Sequence, residues 1–167
     1  MKQSITYYLT LLVIKLKGVK RNFSEDPIDF AKIRREDMHL PAGRFFKKYI
    51  LQKFKISDSL IVEIGSDKNA ENLLIFIHGG AFISGPAKHH WDTVKEIAKR
   101  SSYKIWMCNY PKAPENQITK ISENIDSIYS SVLRNYPANQ ISIIGDSVGG
   151  TLTTALIQRL IINRITC

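Results

Sequence analysis

Cysteine is scarce in these 167 residues: Cys108 sits inside an apolar run and Cys167 is the last residue. Two distant thiols exclude a disulfide-stapled scaffold, and no Cys-His spacing of the zinc-binding kind occurs, so no metal is expected. The cytoplasm is the expected compartment. No apolar run approaches the ~20 residues that cross a bilayer. A G-x-x-x-x-G-K-[ST] phosphate loop is missing, and the nine glycines never form G-x-G-x-x-G, so no cofactor is implied. RNA-binding aromatic signatures, internal repeats and low-complexity tracts are also missing, and no nucleic-acid partner is expected. What remains is 44% hydrophobic, 23% charged and 10% aromatic, room for one ordinary domain with a sizeable core.

The net charge of +9 is unevenly placed. Residues 1–55 hold 13 basic and 5 acidic side chains, whereas residues 56–167 hold 11 and 10. A basic N-terminal third reads first as a solvated face and second as a surface for anionic lipid or an acidic partner. Within it, Ile5, Tyr8, Leu9, Leu12 and Leu16 follow helical spacing, which predicts a packing or surface-lying helix. Lys2 before this apolar stretch resembles the start of a secretory signal, but no small-residue cleavage pattern follows; a signal anchor is the alternative. Gly18 and Asp26-Pro27 supply breaks before a second helix expected near residues 28–36.

From Leu51 onward short β-rich runs alternate with helical ones. Residues 51–56 and 59–64 read as a hairpin turning at Ser57-Asp58. Residues 72–77, 104–109 and 140–144 are apolar runs of the kind covered on both faces, as in a parallel sheet. Residues 91–100, the stripe Ile118, Ile121, Ile125, Ile128 and Val132, and residues 152–162 read as helices. The order β-β-β-α-β-α-β-α predicts an α/β domain, with a mostly parallel sheet and flanking helices.

Two motifs carry chemistry. Gly145-Asp146-Ser147-Val148-Gly149 matches G-x-S-x-G and lies between an expected strand and an expected helix, where a sharp turn holds a serine Oγ clear of the backbone. The helix N-terminus behind it offers amides to a developing oxyanion. His78-Gly79-Gly80-Ala81-Phe82 follows another expected strand, and its glycines let backbone N–H groups approach a ligand closely. Either motif alone also reads as a structural glycine turn. Both follow the C-terminal ends of strands expected in one sheet, which the structural reading does not explain.

With Tyr110-Pro111-Lys112-Ala113-Pro114-Glu115 between them, these motifs resemble the hormone-sensitive-lipase-like esterases of the α/β-hydrolase fold, over residues 51–163. The resemblance implies Ser147 as nucleophile and the amides of Gly79, Gly80 and Val148 as an oxyanion hole. It implies supporting roles for His78 and Asp146, and a structural turn at residues 110–115. The substrate implied is a small-molecule carboxylic ester. Ala81 stands where many relatives have a third glycine, and Pro111-Lys112 where many have Arg-Leu. The resemblance further implies a cap-like basic helical segment over residues 1–50 and the N-terminal part of a hydrolase domain over 51–167.

In this family the acid and the histidine follow the nucleophile, yet residues 148–167 contain no Asp, Glu or His. The expectation is therefore an N-terminal portion of a longer hydrolase, with a catalytically inactive fragment as the alternative reading. His89 and His90 are expected as exposed loop residues, with an approach to the site just after the glycine loop as the alternative, and His39 has no recommending feature. The strand at residues 140–144 is expected to be an apolar sheet edge.

Overall fold

The computed structural model describes residues 3–16, 18, 24–65 and 69–164. Cys167 and the basic residues Lys2, Lys17, Lys20 and Arg21 lie outside the described residues. Two compact units divide the chain, Met1–Arg35 and Glu36–Cys167.

In the first unit, α1 (Ile5–Leu16) buries none of its side chains, and Leu9, Leu12 and Val13 are each more than half exposed. Apolar residues cover the helix all round, so the one-sided stripe suggested by Ile5, Tyr8, Leu9, Leu12 and Leu16 is only part of its surface. Among the described residues no helix is long and apolar enough to cross a membrane. The helix expected near residues 28–36 is shorter, α2 (Phe30–Ile33) running into a 3₁₀ turn at Arg34–Glu36. Asp29 caps it by accepting from the Lys32 amide at 2.9 Å.

The second unit is built on five strands: β1 (Ile50–Ile56), β2 (Ser59–Ile64), β3 (Leu73–Ile77), β4 (Lys104–Asn109) and β5 (Ile141–Gly145). They lie in the order β1-β2-β4-β3-β5. Three larger helices follow the chain around them, α4 (Lys88–Arg100), α5 (Ile118–Leu133) and α6 (Val148–Ile162). A short helix not foreseen, α3 (Arg44–Tyr49), precedes β1 and buries Phe46. β3 explains the layering: its five residues are all apolar and all buried, so alternate side chains feed opposite faces. Leu73, Ile75 and Ile77 join Trp106 and Cys108 against α5 and α6. Leu74 and Phe76 join Ile105 and Met107 against Trp91, Val94 and Ala98 of α4.

The ladders are mixed. β3 pairs in parallel with β4 and with β5, whereas β1–β2 and β2–β4 are antiparallel. β1, β3, β4 and β5 therefore all point one way and β2 alone runs against them, the mostly parallel arrangement expected from the apolar runs together with the β1–β2 hairpin. The hairpin turns at Ser57-Asp58, with Ser57 at φ 51°. Asn124 of α5, fully buried, accepts there from the Asp58 amide at 3.0 Å and the Ser59 hydroxyl at 3.2 Å. β5 stands at the sheet edge, with Ile144 40% exposed.

Candidate active site

The parallel pairing of β3 and β5 sets Ile77 opposite Gly145, so both strands end side by side. The Asp146 amide donates to the Ile77 carbonyl at 3.0 Å and prolongs the ladder by one rung. The glycine loop after β3 and the serine turn after β5 therefore start from adjacent points at the carboxyl edge of the sheet, where open α/β sheets hold ligands.

Ser147 is the N-cap of α6, with φ 50° and ψ −119°. Holding a non-glycine residue there costs about 1–3 kcal/mol. The side chain is exposed and its hydroxyl caps no helix amide. The turn depends on glycine at both flanks. A Cβ at Gly145 would fall 2.3 Å from the Gly149 carbonyl oxygen, and one at Gly149 would fall 2.0 Å from that of Ile77. The backbone of α6 thus lies directly on the end of β3, with space only for hydrogen. Within the described residues, the Val148 amide at the helix start makes no hydrogen bond, as the first turn of a helix dictates.

The glycine loop touches this turn. A Cβ at Gly79 would come within 3.0 Å of the Ser147 Cβ and 2.8 Å of Asp146 Oδ2. Two of the loop's peptides are held by buried side chains. The Tyr110 hydroxyl donates to the His78 carbonyl at 2.8 Å, and His78 Nδ1 donates to the Gly79 carbonyl at 2.6 Å. The rings of His78 and Tyr110 stack at 4.4 Å. In a planar trans peptide the carbonyl and the N–H point opposite ways. With the Gly79 carbonyl turned to buried His78, the Gly80 amide points away from that ring, and no described residue accepts from it. The Ala81 amide is likewise unengaged, and Gly80, Ala81 and Phe82 all have positive φ. For Ala81 and Phe82, which carry a Cβ, this is strain, and such strain accumulates where a loop is shaped for a task.

The Gly79 amide behaves differently from the expected oxyanion donor. It is directed at His90 Nε2, 3.2 Å away. His90 itself overturns an expectation. The helix begins at Lys88 instead of residue 91, so His89 and His90 are helical, and His90 is buried while His89 stays exposed. The early start has a local cause: His90 Nδ1 accepts from the Ala87 amide at 2.9 Å and so caps the helix. His39 is exposed, beside Asn109 at 3.0 Å.

Burial holds the His78 imidazole down to about 3, so it is neutral under ordinary conditions. Its Nε2 is buried without a hydrogen-bond partner. Burial, with the neighbouring His89 second, also holds His90 below the usual histidine range against the pull of Asp146. Burial raises Tyr110 and Cys108 well above theirs, leaving both protonated. Among the described residues no histidine hydrogen-bonds to the Ser147 hydroxyl.

His89, His90 and Asp146 bring three ligand atoms within 4.8 Å of one another, beside a cavity of about 190 Å³. The donor set fits a metal poorly. His90 Nδ1 already accepts an amide hydrogen, so the neutral ring carries its proton on Nε2, the atom that would have to coordinate.

A mixed sheet with helices on both faces, and a serine-bearing strand-to-helix turn against a glycine loop, define an α/β hydrolase. The model of the alpha/beta hydrolase fold family matches residues 74–165, and the chain belongs to that family. It is 33% identical over 99 residues to an esterase of Acinetobacter venetianus, a match covering 59% of this chain and 33% of that protein. The esterase LipU of Mycobacterium tuberculosis is 32% identical over 88 residues, covering 52% and 30%. Among solved structures, the hormone-sensitive-lipase homologue EstE7 from a metagenome library superposes with a TM-score of 0.70 at 25% identity, covering 99% of this chain and 54% of that one. A hormone-sensitive lipase from a metagenome library gives 0.69 at 22%, covering 99% and 54%. The matches thus span about a third of the curated relatives and about half of these solved chains.

Proposed function

We propose that this chain carries the nucleophile and oxyanion-binding part of a serine hydrolase acting on small-molecule carboxylic esters. The observation that carries the reading is the contact of Gly79 with Ser147 Cβ, at a strained, exposed serine heading a helix. Ser147 Oγ attacks the ester carbonyl, its proton passing to a base, and the former carbonyl oxygen takes the negative charge. The Gly80 and Val148 amides stabilise that charge. Gly79, whose amide leans on His90, contributes chiefly by letting the loop approach the serine without a Cβ. The alcohol leaves with a proton, and water then releases the acid from the acyl-serine. His78 orients the loop and Asp146 anchors the turn.

Residues 1–50 act as a cap-like segment to the hydrolase portion that begins at residue 51. Supporting this, residues just before α3 bond to the chain that follows the glycine loop: Gly85 N–H to Asp37 at 2.6 Å, Met38 N–H to the Pro86 carbonyl at 2.6 Å, and Trp91 Nε1–H to the Met38 carbonyl at 2.6 Å. Contact of the basic start, residues 1–21, with anionic lipid is a further proposal, favoured by the uncovered apolar surface of α1. Sedimentation with anionic vesicles that survives deletion of residues 1–21 would rule it out.

A fluorophosphonate probe is expected to label the protein at Ser147 and not the Ser147→Ala variant. Equal labelling of both would overturn the reading. The lack of a histidine bonded to Ser147 favours a second reading, in which these 167 residues alone are catalytically inactive. Ser147-dependent turnover of a short-chain activated ester by the purified chain would exclude it.

A further inference from the structure

We infer that His90 is a positioning residue that latches the glycine loop to the serine turn through Asp146. The inference deepens the reading above and rests on it for its kinetic readout. His90 stands on the first turn of α4, 3% exposed. Its ring meets its own helix start, the glycine loop and the serine turn. Nδ1 takes the Ala87 amide at the helix start, and Nε2 lies 3.2 Å from the Gly79 amide nitrogen and 3.1 Å from Asp146 Oδ2.

The protons decide how the latch closes. With the proton on Nδ1, the ring satisfies only the Gly79 amide and faces the Ala87 amide with a second donor. With the proton on Nε2, it satisfies both Ala87 and Asp146, so this form is preferred; the Gly79 N–H then faces another N–H and is not accepted by the ring, which covers it from water by packing alone. Burial keeps the ring neutral, so the tie to Asp146 is a directed hydrogen bond more than an ion pair.

At the other end of the same peptide, the Tyr110 hydroxyl holds the His78 carbonyl. The His78–Gly79 peptide is thereby confined on both sides. Without these contacts the glycines, lacking Cβ atoms, allow this peptide to turn freely and take the Gly80 amide with it. A displacement of about 1 Å at such a donor costs on the order of a hundredfold in rate.

Two substitutions separate latching from folding. His90→Asn keeps an acceptor for the Ala87 amide but is too short to reach Asp146, whereas His90→Gln reaches Asp146. The expected outcome is a maximal fluorophosphonate labelling rate at Ser147 about 10- to 100-fold lower in His90→Asn, with probe affinity retained. His90→Gln should recover to within about threefold of the wild type. A purely packing role would give the two variants equal rates. Amide hydrogen exchange supplies a readout independent of catalysis: Gly79 should exchange at least about tenfold faster in His90→Asn while Ile75 and Phe76 of β3 do not change. Wild-type labelling by His90→Asn, or unchanged Gly79 exchange, overturns the latch. A wild type that never labels while Gly79 exchange responds defeats the serine reading and leaves the latch standing.

Discussion

The two turns at the carboxyl edge of the sheet are both glycine-rich, yet they keep their shapes by different means. In the serine turn the constraint is mainly steric: Gly145 and Gly149 let α6 lie on the end of β3, with the bond of the Asp146 carboxylate to His90 as an added tie. The loop at residues 78–81 is held by hydrogen bonds to its carbonyls, from Tyr110 and from its own His78, with His90 beside its first glycine amide. A turn defined by missing Cβ atoms fails when atoms are added to it. A loop defined by hydrogen bonds fails when its neighbours change protonation or length.

The largest expected effect tests the second half of that contrast. His78 is neutral when folded, held to about 3, and takes up a proton on unfolding below about pH 6.5. Because its folded pKa is depressed, its stabilising contribution is complete above about pH 6.5 and is lost as pH falls toward 3, on the order of 4 kcal/mol across that window. Urea unfolding at several pH values should show a steeper acid loss in the wild type than in His78→Phe. Equal slopes would mean that the loop does not depend on a neutral buried imidazole. Next, Gly149→Ala places a methyl group 2.0 Å from the Ile77 carbonyl oxygen and should cost about 3 kcal/mol in thermal or denaturant unfolding. A loss below about 1 kcal/mol would show that the serine turn relaxes more easily than its geometry implies.

Asn124→Ala lies away from both turns and provides a baseline. It strips the acceptor from the Asp58 amide and the Ser59 hydroxyl and should cost about 2 kcal/mol without altering Ser147 labelling. The smallest effect has the opposite sign. Ser147→Gly relieves the positive φ and should raise stability by about 1 kcal/mol while abolishing labelling. A destabilised glycine variant would mean that the serine side chain supports the turn after all.

The strands were legible because β2, β3 and β4 are short apolar runs with polar punctuation, and the two motifs were legible because glycine spacing records steric clearance directly. Direction was legible for the parallel runs β3, β4 and β5 and for the hairpin of β1 and β2, whereas the antiparallel seating of β2 on β4 was not, because burial marks apolar positions and not chain direction. α3 escaped notice because Arg44–Tyr49 buries Phe46 alone, too little for a periodic stripe. His90 was read chiefly as an exposed loop residue for a physical reason. Its local context, Lys88-His89-His90, is polar, and the group that employs it is the carboxylate of Asp146, 56 positions away. A cue was present in the spacing: His90 is the third residue of its helix, where a side chain can turn back to accept from the cap amide.

The chain's two indoles fall in different layers. Trp91 donates to the Met38 carbonyl on the α4 side, and Trp106 donates to the buried Glu63 carboxylate on the other. Replacing either one with phenylalanine leaves a single indole, excited selectively over the tyrosines at the red edge, beside a neutral or a carboxylate acceptor. Emission from the pair of single-tryptophan proteins then reports, without any added dye, whether the two sides of the sheet melt together or in succession.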